Sequence, residues 1–184
     1  MKDKFIIISE LLKKIPKNKY PRILIISDKQ LLYCHKGFLS INIYARSQGV
    51  VSDLGFDRGS ILKFFSIFEF LINELIIKIL KPSDFSRLDD LLNYVDLFAK
   101  IKLLNRWKII SNEIKEKSIS AISVRNAFAH SWAESDIEYN NSSIELNFSA
   151  FRNDLEEIWN FFIEKYKEFQ PDIDIVIKNL QSVA

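Results

Sequence analysis

Residues 60–80 read SILKFFSIFEFLINELIIKIL. Placed on a helical wheel at about 100° per residue, Lys63, Ser66, Glu69, Asn73, Glu74 and Lys78 fall on one half. Ile67, Phe70 and Ile77 share that half, and the other half is wholly apolar. A helix this apolar around its circumference is buried on more than one side. In a chain of 184 residues, that means a central bundle helix, a subunit interface, or both. The interior charges Lys63, Glu69, Glu74 and Lys78 argue against a lipid-facing span. Gly55 to Gly59 reads as a loop, Ser60 as the N-cap, and Pro82 as the stop.

Helical patterns extend outward from this segment. Phe5, Ile8, Leu11, Leu12 and Ile15 predict a helix over 3–15, closed by Pro16 and Pro21. The run RILIIS after Pro21 fits a strand or a buried helical turn, and periodicity does not decide between them. Pro21 at the start and Gly37 beyond His35 favour a helix over 21–36, with a second piece from Leu39 to Arg46. Downstream, Ser83 or Ser86 caps a helix through Leu88, Leu91, Leu92, Val95, Leu97 and Phe98. The stretch FAKIKLLNRWKIISNEIKEK continues as one or two helices with a break at Ser111, and a further helix covers 118–133. Residues 136–147 read as a β-hairpin, with Ile137 and Tyr139 on one strand and Ile144 and Leu146 on the other. Helices over 150–168 and after Pro171 complete the chain. The expected fold is all-α: a single-domain helical bundle over 1–184. Residues 1–50 form an N-terminal extension, a short β-hairpin follows the helix of 118–133, and C-terminal helices occupy 150–184.

Composition agrees. Four Gly and four Pro are too few for the tight turns of an all-β chain. With 48% hydrophobic and 27% charged residues, the chain has the balance of a packed globular protein. One Cys excludes an intrachain disulfide and a Cys-based zinc site, and two distant His argue against a His-rich metal site. No metal or cofactor is expected. The run Phe5 to Ile8 is too short for a signal-peptide core. That and the single Cys34 lead to the expectation of a cytoplasmic protein with no membrane segment. A net charge of +2 names no partner. Any polyanion surface must be a local patch, and the most basic stretch lies within 100–125. Lys102, Arg106 and Lys108 are its candidate RNA contacts. The alternative is a solvated helix face balanced by Glu113 and Glu116.

The two histidines differ in their surroundings. His35 adjoins Cys34, but adjacent side chains point apart, so the pair is not a dyad and reads as packing. His130 ends the segment Arg125-Asn126-Ala127-Phe128-Ala129-His130. On a helix, Asn126 and His130 stand at i and i+4 on one face, and Arg125 flanks it. One turn thus presents a permanent cation, an amide and an imidazole. These groups suit RNA cleavage through the 2′-hydroxyl without metal. Histidine serves as base or acid near neutrality. Arginine matches a phosphate with a planar fork of donors. Asparagine orients the imidazole or donates to a phosphate oxygen. An Arg–His pair on an amphipathic helix is also an ordinary surface feature.

The segment Arg125-Asn126-x-x-x-His130 resembles the R-x4-H signature of the HEPN superfamily (higher eukaryotes and prokaryotes nucleotide-binding domains). The wider stretch, over about 60–133, resembles HEPN sequences in its order of elements. The resemblance implies a helical bundle and a homodimer in which two motifs line one cleft. It further implies a metal-independent ribonuclease, acting as a toxin of a toxin–antitoxin pair or in phage defence, with an antitoxin or another defence protein as partner. Arg125 and His130 match the family's catalytic pair, and Asn126 the polar residue that follows the arginine. A subgroup carries a tyrosine two residues after the histidine, which a partner nucleotidyltransferase modifies. Here that position is Trp132, which has no hydroxyl. Trp132 either packs the helix end or stacks on a base. Ser131 and Glu69 are supporting candidates. The competing readings are a non-catalytic HEPN-like module binding RNA, a nucleotide or a protein, and a purely structural helical subunit.

Overall fold

The computed structural model describes residues 4–16, 20–27, 30–35, 38–43, 54–130 and 137–184. The chain is mostly helical, as expected. In order the elements are α1 (Lys4–Leu12), β1 (Ile23–Ser27), β2 (Gln30–His35), β3 (Phe38–Ile43), α2 (Arg58–Leu80), α3 (Phe85–Tyr94), α4 (Leu97–Arg106), α5 (Asn112–His130), β4 (Glu138–Tyr139), β5 (Ser142–Ser143), α6 (Ile144–Glu168) and α7 (Ile173–Gln181). Contacts group the chain into two compact units, 1–49 with 166–184 and 50–165, where the sequence reading treats 1–184 as one domain. No helix among the described residues is long and apolar enough to cross a membrane.

The first unit corrects the helix expected over 21–36 and the piece expected from Leu39. These residues form a three-stranded antiparallel meander in the order β1-β2-β3. Leu24 pairs with Leu32, and Leu32 with Ile41. The physical reason lies in β1. Ile23, Leu24, Ile25 and Ile26 are all buried, so the strand is covered on both faces and shows no alternation in sequence. The outer edge of β1 is closed by side chains. Gln170 accepts from the Ile25 N–H through Oε1 (2.8 Å) and donates to the Ile25 carbonyl through Nε2 (2.8 Å). Tyr166 Oη donates to the Ile23 carbonyl at 3.3 Å. These bonds satisfy an edge that would otherwise invite another strand. The core of this unit joins Ile8, Leu12 and Ile15 with Leu24, Ile26, Leu32, Ile177 and Leu180. The backbones of Cys34 and His35 lie in β2; their side chains are outside the described part of the structure.

The second unit is the helical bundle. Its central helix is α2, with eleven apolar residues and Asn73 and Glu74 buried. Each large apolar side chain removed from water stabilises by about 1.5–3 kcal/mol, so this helix dominates the unit's core. The N-cap is Asp57 rather than Ser60: its carboxylate accepts from the Ser60 N–H at 2.8 Å, and Gly59 lies inside the helix. Lys81 closes α2 in the left-handed region at φ 45°, and Pro82 prevents continuation. Aromatic contacts seat α6 on α2: Phe64 meets Trp159 at 5.8 Å and Phe68 meets Phe162 at 5.3 Å between centroids.

Further boundaries differ from the sequence reading. The helix expected over 118–133 begins at Asn112 and runs unbroken to His130, with 131–133 outside the described residues. Asp84, not Ser83 or Ser86, caps α3, and Asp96 caps α4, so the expected continuous helix through Phe98 is broken at Val95. The break at Ser111 is present, and Ser111 Oγ accepts from the Ile114 N–H at 3.2 Å. The hairpin is shorter than the expected 136–147. Asn140 and Asn141 both have positive φ, 51° and 60°, the requirement of a two-residue type I′ turn. The chain then enters α6 at Ile144, so Ile144 and Leu146 are helical, not on a second strand. Six residues precede the expected helix start at 150 because Ile144 N–H bonds the Ile137 carbonyl at 2.8 Å and Asn147 Nδ2 donates to the Tyr139 carbonyl at 2.8 Å. These bonds fix the helix directly onto the hairpin.

Candidate functional site

The R-x4-H segment is the last turn and a half of α5. Along this helix the buried residues are Ile114, Ser118, Ala121, Ile122, Val124 and Phe128. Arg125 stands four residues after Ala121 and three before Phe128, so helical spacing places it at the margin of the buried stripe. It is half-buried. Its Nε is shielded from solvent and has no hydrogen-bond partner. A buried donor in that state costs about 1–3 kcal/mol. Its Nη1 donates to Asn126 Oδ1 at 2.9 Å. Asn126 and His130 are exposed, one turn apart on the same face. Arg58, the first residue of α2, donates through Nη2 to the Ala129 carbonyl at 2.5 Å. That bond satisfies one of the orphan carbonyls at the helix end with a cation, the favourable sign there. Two guanidinium groups therefore border the motif.

Arg125 and Asn126 line a cavity of about 360 Å³. Glu69 of α2 also lines it, with Asn93 and Tyr94 from the end of α3 and Asp96 from the connection to α4. The connection is held at both ends. Val95 N–H bonds the Leu92 carbonyl at 3.3 Å, and Asp96 Oδ1 accepts from the Ala99 N–H at 2.8 Å. Glu69 receives a 2.5 Å hydrogen bond from Lys100 Nζ, a lysine with 0% of its side chain exposed, while Glu69 itself is 33% exposed. An ion pair of this kind fixes both groups, because breaking it would leave a cation without solvent.

The structure thus brings Arg125, Asn126 and Glu69 together. His130 does not line the cavity and sits one turn beyond it. Ser131 and Trp132 lie outside the described residues. Lys102, Arg106 and Lys108 are exposed; Lys102 and Arg106 stand at i and i+4 on α4. Lys102 Nζ lies 4.1 Å from the centroid of Phe98, itself a cavity residue. The balanced-face reading holds for other members of the basic stretch. Lys115 meets Glu116 at 2.8 Å, and Lys117 meets Glu157 at 2.6 Å, Glu113 at 3.3 Å and Asp154 at 3.7 Å. The Glu157 bond, with lesser help from Glu113 and Asp154, holds the Lys117 ammonium above the usual lysine range. Among the described residues Lys102, Arg106 and Lys108 have no such carboxylate. No group of three or more His, Cys, Asp or Glu placed to hold a metal ion occurs among the described residues.

Sequence reasoning missed Lys100, Arg58 and the part played by the end of α3 and its connection to α4. Lys100 had a legible signal: it lies three residues after Leu97 and four before Leu104, on the buried stripe of α4. Arg58 and the connection had none, because only the fold carries them to the motif. No family model, curated protein or solved structure matches the chain.

Proposed function

We propose that the chain is a metal-independent endoribonuclease of HEPN type, acting as a toxin or in phage defence. The observation that carries this reading is Arg125: a half-buried guanidinium on a cavity wall, with a shielded Nε and an exposed amide and imidazole on the adjoining helical face. In the reaction the substrate 2′-oxygen bonds to phosphorus and the bond from phosphorus to the 5′-oxygen breaks. One group takes the 2′-hydroxyl proton and another protonates the leaving 5′-oxygen, giving a 2′,3′-cyclic phosphate and a 5′-hydroxyl. His130 serves as base or acid, Arg125 holds the scissile phosphate, and Asn126 supports either. One chain offers one imidazole at the motif. A two-fold homodimer brings a second and so supplies both roles. Lys102, Arg106 and Lys108 would guide the RNA backbone. The protein would work with RNA and an antitoxin or other defence protein, in the cytoplasm.

A second reading, a non-catalytic module that binds RNA, a nucleotide or a protein, draws on a specific feature. His130 is absent from the cavity lining, so a ligand seated in the cavity would not need to touch it. Incubation of RNA with wild type, Arg125→Ala and His130→Ala in excess chelator separates the two. Cleavage by wild type alone supports the ribonuclease. Binding that needs Arg125, without cleavage, supports the module.

A further inference from the structure

We infer that the cavity beside Arg125 is a base-recognition subsite that takes guanine, belonging to the nucleotide whose phosphate Arg125 holds. The inference rests on the proposal that Arg125 binds a phosphate of RNA. At about 360 Å³ the cavity falls at the small end of the range for small-molecule pockets, roughly 300–1,000 Å³. Its lining combines what a splayed-out base requires: an aromatic face and a polar edge. Tyr94, at the last position of α3, is 90% exposed. A large aromatic side chain standing in solvent at a cavity lip offers a stacking face. Ile122, buried on α5, adds an apolar wall.

The choice of base follows from Glu69. An ionised carboxylate only accepts hydrogen bonds. On its Watson–Crick edge, guanine alone presents two adjacent donors, the N1–H and the 2-amino group. Adenine and cytosine each set a ring acceptor beside their amine, and uracil flanks its N–H with two carbonyls. A carboxylate facing those edges meets a lone pair, and the mismatch leaves a polar group unpaired, which costs more than the correct bond gains. Glu69 is also positioned for recognition. The wholly buried Lys100 holds its Oε1 at 2.5 Å, so the carboxylate does not have to be ordered when the base arrives. The bonds at Val95 and Asp96 hold the backbone at the end of α3, which carries Asn93 and Tyr94.

The test is calorimetric titration of the full chain with guanosine, inosine and adenosine 3′-monophosphates, alongside cleavage of RNAs of defined sequence. Wild type should bind the guanosine nucleotide at least tenfold more tightly than the adenosine one. Inosine, lacking the 2-amino group, should fall between them. Glu69→Gln should bring the ratio close to one, Tyr94→Ala should weaken all three alike, and Arg125→Ala should do the same through the phosphate. Because Glu69→Gln leaves Lys100 without its counter-charge, Glu69→Gln with Lys100→Met provides the same readout in a chain with no stranded cation. A wild-type ratio near one, or a ratio that survives loss of Glu69, overturns the subsite. Cleavage with equal kcat/KM beside all four bases overturns the subsite and leaves the ribonuclease reading intact. Guanosine preference without any cleavage upholds the subsite and removes the ribonuclease reading.

Discussion

The pairing of Lys100 with Glu69 makes an asymmetric prediction. Lys100 is 0% exposed and Glu69 33% exposed, with Nζ and Oε1 2.5 Å apart. Removing one member of a buried ion pair costs about 3–5 kcal/mol when it strands the other without water. Glu69→Ala strands a wholly buried ammonium, so its cost should be about 3 kcal/mol or more. Lys100→Met fills the same volume with apolar atoms and strands a carboxylate that water already reaches. Its cost should be about 1 kcal/mol. In a chain of this size 1 kcal/mol lowers the Tm by about 2–4 °C. The two variants should therefore fall by roughly 6–12 °C and 2–4 °C respectively. The double variant Glu69→Ala/Lys100→Met removes both charges and should cost only about 1 kcal/mol, recovering most of the larger loss, a coupling of about 3 kcal/mol. Urea denaturation followed by circular dichroism reads all three. Equal penalties for the single variants, or strict additivity in the double, would refute the reasoning, because either result means Lys100 is not held by Glu69.

Three other perturbations probe the fold around the site. Tyr139 is buried and donates to Asp154 Oδ2 at 2.5 Å; burial first, and then the carboxylate, push its phenol well above the ordinary value of 10.0. Its contribution is complete below about pH 10 and is lost as pH rises toward the folded value, so the penalty of Tyr139→Phe should be about 1–2 kcal/mol at neutral pH and shrink in alkaline denaturation curves. Asn141→Ala should cost about 1–2 kcal/mol, because a side chain other than Asn or Gly pays that much in the left-handed region, and Asn141→Gly should cost nothing or stabilise. The bonds from Ser60 to the Asp57 carboxylate hold it below its ordinary 3.8. That contribution is present above about pH 3.8 and is lost as pH falls through the folded value, so Asp57→Asn should lose less stability than wild type between pH 4 and pH 2.

Much of this fold is legible in the sequence, and the reasons divide cleanly. The bundle follows from apolar periodicity: the segment 60–80 is so evenly apolar that it had to be central, and α2 is. Ser111 is a legible break because a serine between two amphipathic segments has a bond to make there. The meander over 23–43 is not legible, because β1 is buried on both faces and its run of Ile and Leu carries no period. Its outer edge depends on Gln170 and Tyr166, more than 140 positions away in the chain. The candidate site divides in the same way. The Arg125, Asn126 and His130 grouping is local and needs only helical spacing. The partner of Glu69 is 31 residues distant and enters through packing of α4. A lysine among lysines reads as solvated until the stripe of Leu97, Ile101 and Leu104 is seen to pass through it.

The central claim is that His130 and Arg125 cleave RNA by its own 2′-hydroxyl. The measurement that tests it most directly is analysis of the product ends after RNA is incubated with the full chain in excess chelator. Wild type should give fragments ending in 2′,3′-cyclic phosphate with 5′-hydroxyl partners, and His130→Ala and Arg125→Ala should each reduce their formation at least 100-fold. Cleavage that persists in His130→Ala, or that leaves 5′-phosphate ends, would contradict the account.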